Sequence, residues 1–411
     1  MSNQNAHKPG YKHTPLGWIP EEWEVKEVGE IAKISSGGTP DRKNTGYWNG
    51  SIPWISTSLI DFNTITKADQ FITEAGLKAS SAKMFEPGTI LMAMYGQGKT
   101  RGKVAKLGIR ASTNQACAAL IVDKTVNVDF LFQNFLHNYN NIRKLSNTGS
   151  QENLNGELIK SINIKLPTSL EQRQIAAILS TWDEAISKTQ QLITQLQQRN
   201  KGLLQALLRP KTGWKEKKLS EIFERVIRRN TVANNNVVTI SARRGFVKQN
   251  DFFKKIVASD ILDNYFLIHK GEFSYNKSYS NGYDWGAIKR LNNFDEAVVT
   301  TLYICFRIKN ENVHSGDFFE FFFDACLLDR GLSKIAHEGG RAHGLLNVTP
   351  KDFFSLNVCV PNYNEQLRIF NILSVAKSEL SLYEQKLATL QRQKKGLMQK
   401  LFTGEVRVKL N

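Results

Sequence analysis

Pro167–Leu208 reads PTSLEQRQIAAILSTWDEAISKTQQLITQLQQRNKGLLQALL, and Pro361–Phe402 reads PNYNEQLRIFNILSVAKSELSLYEQKLATLQRQKKGLMQKLF. The two stretches align without a gap at an offset of 194 residues, and sixteen of the 42 paired positions are identical. Glu171/Glu365, Gln172/Gln366, Ile178/Ile372, Leu179/Leu373, Lys201/Lys395 and Gly202/Gly396 are among them. A repeat of this length outweighs any single motif in fixing the architecture. A fainter echo precedes each copy, where WEVKEVGEI from Trp23 matches WKEKKLSEI from Trp214. The chain therefore runs as module, long helix, module, long helix.

In both copies apolar residues recur at alternating spacings of three and four, the seam of a coiled coil rather than the stripe of two separate amphipathic core helices. The first seam holds Ile175, Trp182, Thr189, Leu196 and Leu203 alternating with Leu179, Ile186, Ile193, Asn200 and Leu207. The second holds Ile369, Ala376, Tyr383, Leu390 and Leu397 alternating with Leu373, Leu380, Leu387, Lys394 and Leu401. Asn200 and Lys394 are polar at the same seam position, a device that fixes register at some cost in stability. The first helix leads away from module one and the second starts at module two, so a pair formed by them is antiparallel.

This connectivity is expected to return the tail TGEVRVKLN to module one and to give the molecule an approximate two-fold axis. Helices of about 39 residues span about 58 Å and would act as a spacer. The predicted fold class is α+β: two similar mixed α/β modules separated by two long helices in an antiparallel coiled coil. The expected boundaries are residues 1–166, 167–209, 210–360, 361–403 and a tail at 404–411.

A length of 411 residues agrees with several folding units. The formal net charge of +17 makes acidic partners the default, nucleic acid or anionic lipid. A hydrophobic content of 41% excludes a disordered basic tail protein. No apolar run reaches about 18 residues and the opening segment has no secretory core, so a cytoplasmic protein without membrane contact is expected. Cys117, Cys305, Cys326 and Cys359 lie far apart, which predicts buried thiols in a reducing compartment and no metal.

Basic residues exceed acidic ones by 19 to 14 in residues 1–166 and by 22 to 17 in residues 210–362, so each module carries +5. SIPWISTSLI, GTILMAMY, ACAALIVD, NVVTISA, AVVTTLYICFRI and SLNVCV read as strands. Helices are expected near Val128 to Arg143 and Phe318 to Ile335. Between these elements lie loops that combine basic, amide and aromatic residues. Module one has YGQGKTRGK and NTGSQENLN; module two has YNKSYSNGYDWG and EGGRAHGLLN at corresponding places. Glycine lets backbone approach phosphate, lysine and arginine neutralise it, and amides or guanidinium can read base edges. The candidate DNA-binding residues are Tyr95, Gln97, Lys99, Arg101, Lys103, Ser150, Gln151 and Asn153 in module one. In module two they are Lys277, Tyr279, Tyr283, Trp285, Arg341 and His343.

Catalytic signatures fail on inspection. AMYGQGKT has Ala93 where a phosphate loop requires glycine, and RGKVAKLG after it lacks an amphipathic helix. The chain has no Asn-Pro or Asp-Pro step of the kind that holds a flipped base for amino methylation. Asp41 after Pro40 lacks the Glu-x-Lys that completes a usual nuclease set. The chain is therefore expected to be a reader without a catalytic site of its own. The rivals are a stand-alone two-headed DNA-binding regulator and a nuclease or methyltransferase with an unrecognised site.

Two unlike modules, each followed by a near-identical helix opened by L-P-x-x-x-E-Q or its equivalent and closed by K-G-L-x-Q-x-L, resemble the specificity subunit of a type I restriction-modification enzyme. Leu166, Pro167, Glu171, Gln172 and Lys201 to Leu207 carry the resemblance in the first copy; Pro361, Glu365, Gln366 and Lys395 to Leu401 carry it in the second. It implies that the modules are target recognition domains, each reading half of a bipartite sequence, and that the helices space them and bind two methyltransferase subunits. It implies restriction subunits as further partners. S-adenosylmethionine, ATP and Mg would then belong to the partners, with no cofactor on this chain. Arg173 is replaced by Leu367 in the second copy, so a contact made by that arginine would exist on one side only.

Overall fold

The computed structural model describes residues 8–96, 99–145, 153–249, 262–280, 282–336 and 346–409. It forms two compact units, Met1–Gln190 with Gln385–Asn411, and Gln191–Glu384. Each long helix, Ser169–Leu208 and Tyr363–Thr403, contributes one part to each unit.

In the first unit the strand Glu24–Glu27 pairs antiparallel with Asn163–Leu166, which leads directly into the first long helix. The short helix Val28–Ile31 comes next, its start closed by the Glu30 carboxylate accepting from Glu27 N at 2.7 Å. A five-stranded sheet then runs in the order Ala32–Ser36, Cys117–Val122, Ile90–Ala93, Val104–Leu107, Thr64–Ile65. Ile90–Ala93 is buried throughout because both its faces are covered, which is why it reads as an unbroken apolar run. A second sheet joins Gln70–Ile72, Trp48–Ile55, Ala111–Thr113 and Met84–Phe85. The helix Val128–Lys144 is capped by Asn127 Oδ1, which accepts from Phe130 N at 2.9 Å. It drives Phe130, Leu131, Phe135 and Ile142 into a core shared with Ile175, Leu179, Met398 and Leu401 of the long helices.

The second unit repeats this route with different side chains. Lys215–Lys218 pairs antiparallel with Asn357–Val360, and Glu221 accepts from Lys218 N at 2.7 Å ahead of the helix Leu219–Ile222. The next sheet has the same order of equivalent strands: Phe223–Val226, Ile304–Ile308, Phe273–Asn276, Ala287–Arg290. Its core is phenylalanine-rich, with Phe273 and Phe306 stacked at 5.5 Å and Phe223 edge-on to Phe306 at 5.1 Å. One expectation is corrected here: the stretch from Phe318 to Ile335 is two helices, Gly316–Asp324 and Asp329–Ile335. Cys326 between them sits at φ +54, a left-handed backbone that a continuing helix does not admit. Of the four thiols, Cys117 and Cys305 are buried while Cys326 and Cys359 are half-buried, and none is in a disulfide.

The long helices pair antiparallel within each unit. In the first, Glu171 meets Arg407 and Asp183 meets Lys394; in the second, Arg199 meets Glu379 and Asn200 meets Ala376. Every expected seam position is buried or half-buried. The two polar seam residues are each satisfied. Lys394 Nζ lies 2.5 Å from Asp183 Oδ1 and 3.1 Å from Gln133 Oε1, and Asn200 Nδ2 donates to Ala376 O at 2.8 Å. Past the second helix the chain is fastened to the first unit: Tyr11 Oη donates to Gly404 O at 2.8 Å, and Arg407 Nε donates to Glu171 at 2.7 Å.

Candidate nucleic-acid interface

The basic, amide and aromatic loops leave equivalent strands of the repeated sheet. In the first unit the segment from Tyr95 to Lys103 links Ile90–Ala93 to Val104–Leu107. In the second unit the segment from Lys277 to Gly286 links Phe273–Asn276 to Ala287–Arg290. In each case the end of the other candidate loop is stitched to the start of this one by one backbone hydrogen bond. Leu154 N donates to Met94 O at 3.0 Å, and Leu346 N donates to Lys277 O at 2.9 Å. Residues far apart in sequence therefore meet at matched places of the two folds, because each loop pair lies at the same end of the same two neighbouring strands.

Within the first unit the side chains divide by exposure. Tyr95 and Lys99 face outward, and the Lys99 carbonyl accepts from Tyr139 Oη, which holds the loop to the helix Val128–Lys144. Lys103 pairs with Asp61 at 2.6 Å. Arg101 is only 7% exposed and donates through Nη2 to Arg143 O at 2.9 Å, so its guanidinium anchors the loop from inside. Asn153 is half-buried beside Leu154.

Within the second unit Tyr279 is exposed and Lys277 donates to Val348 O at 3.4 Å, its pKa lowered by burial. Tyr283 lies against Lys289, whose ammonium is 5.0 Å from the ring centroid and 2.5 Å from Asp324. Trp285 packs on the phenylalanine core, and its carbonyl accepts from buried Tyr275 Oη at 2.7 Å. Gly286, at φ +83, has no room for a side chain: a Cβ would come within 2.4 Å of Asn276 O. Gln97, Ser150, Gln151, Arg341 and His343 lie outside the described residues.

Two basic features were not expected from the sequence. Arg243 and Arg244 occupy the tip of the hairpin Val238–Ser241/Gly245–Lys248 and are exposed. The signal was R-R-G between two β-branched runs, a hairpin turn that presents charge. The second is Arg42, whose guanidinium lies 4.4 Å from the Trp48 ring centroid and 5.2 Å from that of Trp54. Its signal, an arginine ahead of two tryptophans, becomes visible only when the strand Trp48–Ile55 brings both rings together. Among the described residues no group of histidine, cysteine, aspartate and glutamate could hold a metal ion, and no helix is long and apolar enough to cross a membrane.

The family model for the type I restriction modification DNA specificity domain matches residues 20–198. The specificity subunit of the MjaIX type I restriction enzyme of Methanocaldococcus jannaschii is 31% identical over 183 residues. That stretch covers 43% of this chain and 41% of the relative, less than half of its length. The putative MjaX specificity subunit of the same organism aligns over 97% of both chains at 25% identity. The crystal structure of the S subunit of the type I system of M. genitalium has the same fold, with a TM-score of 0.56 at 15% identity over 92% of this chain and 96% of that one. Residues 20–198 thus resemble a type I restriction modification DNA specificity domain, both modules together are similar to a putative type I specificity subunit, and the fold is shared with a solved S subunit.

Proposed function

We propose that this chain is the non-catalytic DNA-reading subunit of a type I restriction-modification complex, acting in the cytoplasm. Each module reads one half of a bipartite duplex target, and the bases between the halves go unread. The observation that carries this is the matched stitching of two loops at the ends of equivalent strands, Leu154 to Met94 and Leu346 to Lys277. A duplicated fold that keeps this loop pair while changing its side chains from Lys99 and Tyr95 to Tyr279 and Lys277 is suited to reading two different half-sequences.

Two methyltransferase subunits bound to this chain would supply S-adenosylmethionine chemistry, and restriction subunits would use ATP and Mg. The duplicated K-G-L-x-Q-x-L segments present the same groups twice, which favours two copies of one partner. The test is methylome mapping in a host that expresses the chain with its methyltransferase subunit. A bipartite methylated sequence that disappears when this chain is removed supports the proposal; methylation unchanged by its removal overturns it.

A further inference from the structure

From the rack around Arg42 we infer that this arginine is a base-reading residue of the first module, recognising guanine from the major groove. The inference rests on the DNA-reading function proposed above and adds a residue that the loop pattern did not supply.

The first observation is that Arg42 is exposed yet held. One face of its guanidinium lies over Trp48, and Nη1 donates to Gln70 Oε1 at 3.1 Å. The platform is itself fixed: Trp48 Nε1 donates to Asp41 O at 3.1 Å, and its ring meets Trp54 edge-on at 5.2 Å. Trp54 is buried and donates to Gly38 O at 2.9 Å. The turn between Arg42 and Trp48 is closed by Asn44 Oδ1, which accepts from Gly46 N at 3.0 Å. Much of the rotamer freedom of a long side chain is thus removed before any ligand arrives, which lowers the ordering cost of binding.

The second observation concerns the unused donors. Among the described residues the Nε and Nη2 edge of Arg42 makes no hydrogen bond and no ion pair. A guanidinium held on one edge and stacked on a ring offers the other edge as a fixed pair of parallel donors, the geometry that guanine O6 and N7 accept. A merely structural arginine would spend its terminal donors on the protein, as Arg228 does through Nη1 on Leu267 O and Nη2 on Glu272.

The third observation places the rack beside the loops already described. Thr39 Oγ1 donates to Gln115 Oε1 at 2.5 Å, and Gly38 N donates to Thr113 O at 2.8 Å. The neighbouring Ala116 O accepts from Met94 N at 2.9 Å, at the mouth of the Tyr95 to Lys103 loop. The segment carrying Arg42, the glycine-rich loop and Leu154 therefore converge on the turn at residues 113–117. Gly37 permits the approach, since a Cβ there would lie 2.0 Å from Thr113 O.

The test compares wild type, Arg42→Ala and Arg42→Lys in the full chain with its methyltransferase subunits, by methylome mapping and by affinity for target duplexes changed one base pair at a time. The expected result is loss of discrimination at a single guanine in one half-sequence, by about five-fold to more than about a hundred-fold, with the other half unaffected. Lysine is expected to fail like alanine because it lacks the paired donors. An unaltered methylated sequence overturns the inference, and so does a uniform loss of affinity for all duplexes, which would mark a phosphate contact or a structural defect. A wild-type complex that binds no DNA removes the functional proposal itself, a result distinguishable from failure of this residue alone.

Discussion

The side-chain oxygen of Gln172 accepts the backbone N–H of Asn127 at 2.9 Å, and Gln366 does the same for Ser315 at 2.8 Å. Each glutamine also donates to the carbonyl of the proline that opens its motif, Pro167 or Pro361, at 2.9 Å. Asn127 and Ser315 are the capping residues of Val128–Lys144 and Gly316–Asp324. The glutamine of the repeated motif is thus a clamp between a long helix and a capped helix of its own module.

Both clamps are buried, so Gln172→Ala or Gln366→Ala leaves a donor and an acceptor unbonded. A cost of about 1–3 kcal/mol is expected for each. Denaturant titration with hydrogen exchange at the Asn127 or Ser315 amide checks it: only the amide facing the substituted glutamine should lose protection.

Glu171 is 1% exposed and accepts from Trp23 Nε1 at 2.9 Å as well as from Arg407. Arg407→Ala strands this carboxylate and should destabilise the first unit by on the order of 2 kcal/mol, while Glu171→Gln with Arg407→Ala recovers part of the loss. Trp23 fluorescence during unfolding reports on the site directly.

Lys394 is 8% exposed in the seam, bound to Asp183 and Gln133. Lys394→Met leaves the Gln133 to Asp183 hydrogen bond in place and should be close to neutral, whereas Asp183→Ala leaves an ammonium short of its counter-ion and should cost about 3 kcal/mol. Equal losses in the two variants would contradict this account.

His314 is buried 3.4 Å from Lys217 Nζ, and burial, reinforced by that charge, pushes its pKa down to about 4. The folded chain keeps the imidazole neutral while the unfolded chain takes up a proton near its ordinary value of about 6.5. The stability contribution is therefore intact above that value and is lost as pH falls toward about 4. His314→Gln should flatten the dependence of the denaturation midpoint on pH across this window.

Lys99 and Arg101 share a loop but differ in exposure, so their substitutions should separate. Lys99→Ala is expected to reduce the slope of log affinity against log salt by up to about 0.9. Arg101→Ala should lower thermal stability more than it changes that slope, because its guanidinium supports the Arg143 carbonyl.

How much of this the sequence carried depends on what each feature needs. The seam was legible residue by residue, since a helix maps spacing directly onto a face, and the motif glutamines were marked by repetition although their partners were not. The repeated sheet order was not legible, because strands such as Ile90–Ala93 and Phe273–Asn276 share burial but hardly any side chains. The glycine-rich loops were found by composition, yet composition could not tell exposed Lys99 from buried Arg101. Arg42 was missed because its two tryptophans lie six and twelve residues away and only the bulged strand Trp48–Ile55 turns both toward it.

The first unit is built from residues on either side of the second in sequence, since Met398, Leu401 and Phe402 close over Phe130 and Leu179. During synthesis the second unit, Gln191–Glu384, is a continuous stretch that can fold as it emerges, while the first waits for residues 385–411. At about 5–20 residues per second that wait lasts about ten seconds or more, with an apolar face of the first module uncovered. A chain interrupted between the second unit and Met398 would carry one finished unit and one that chaperones and proteases recognise as incomplete, so completion of the first unit reports that synthesis has passed through the second.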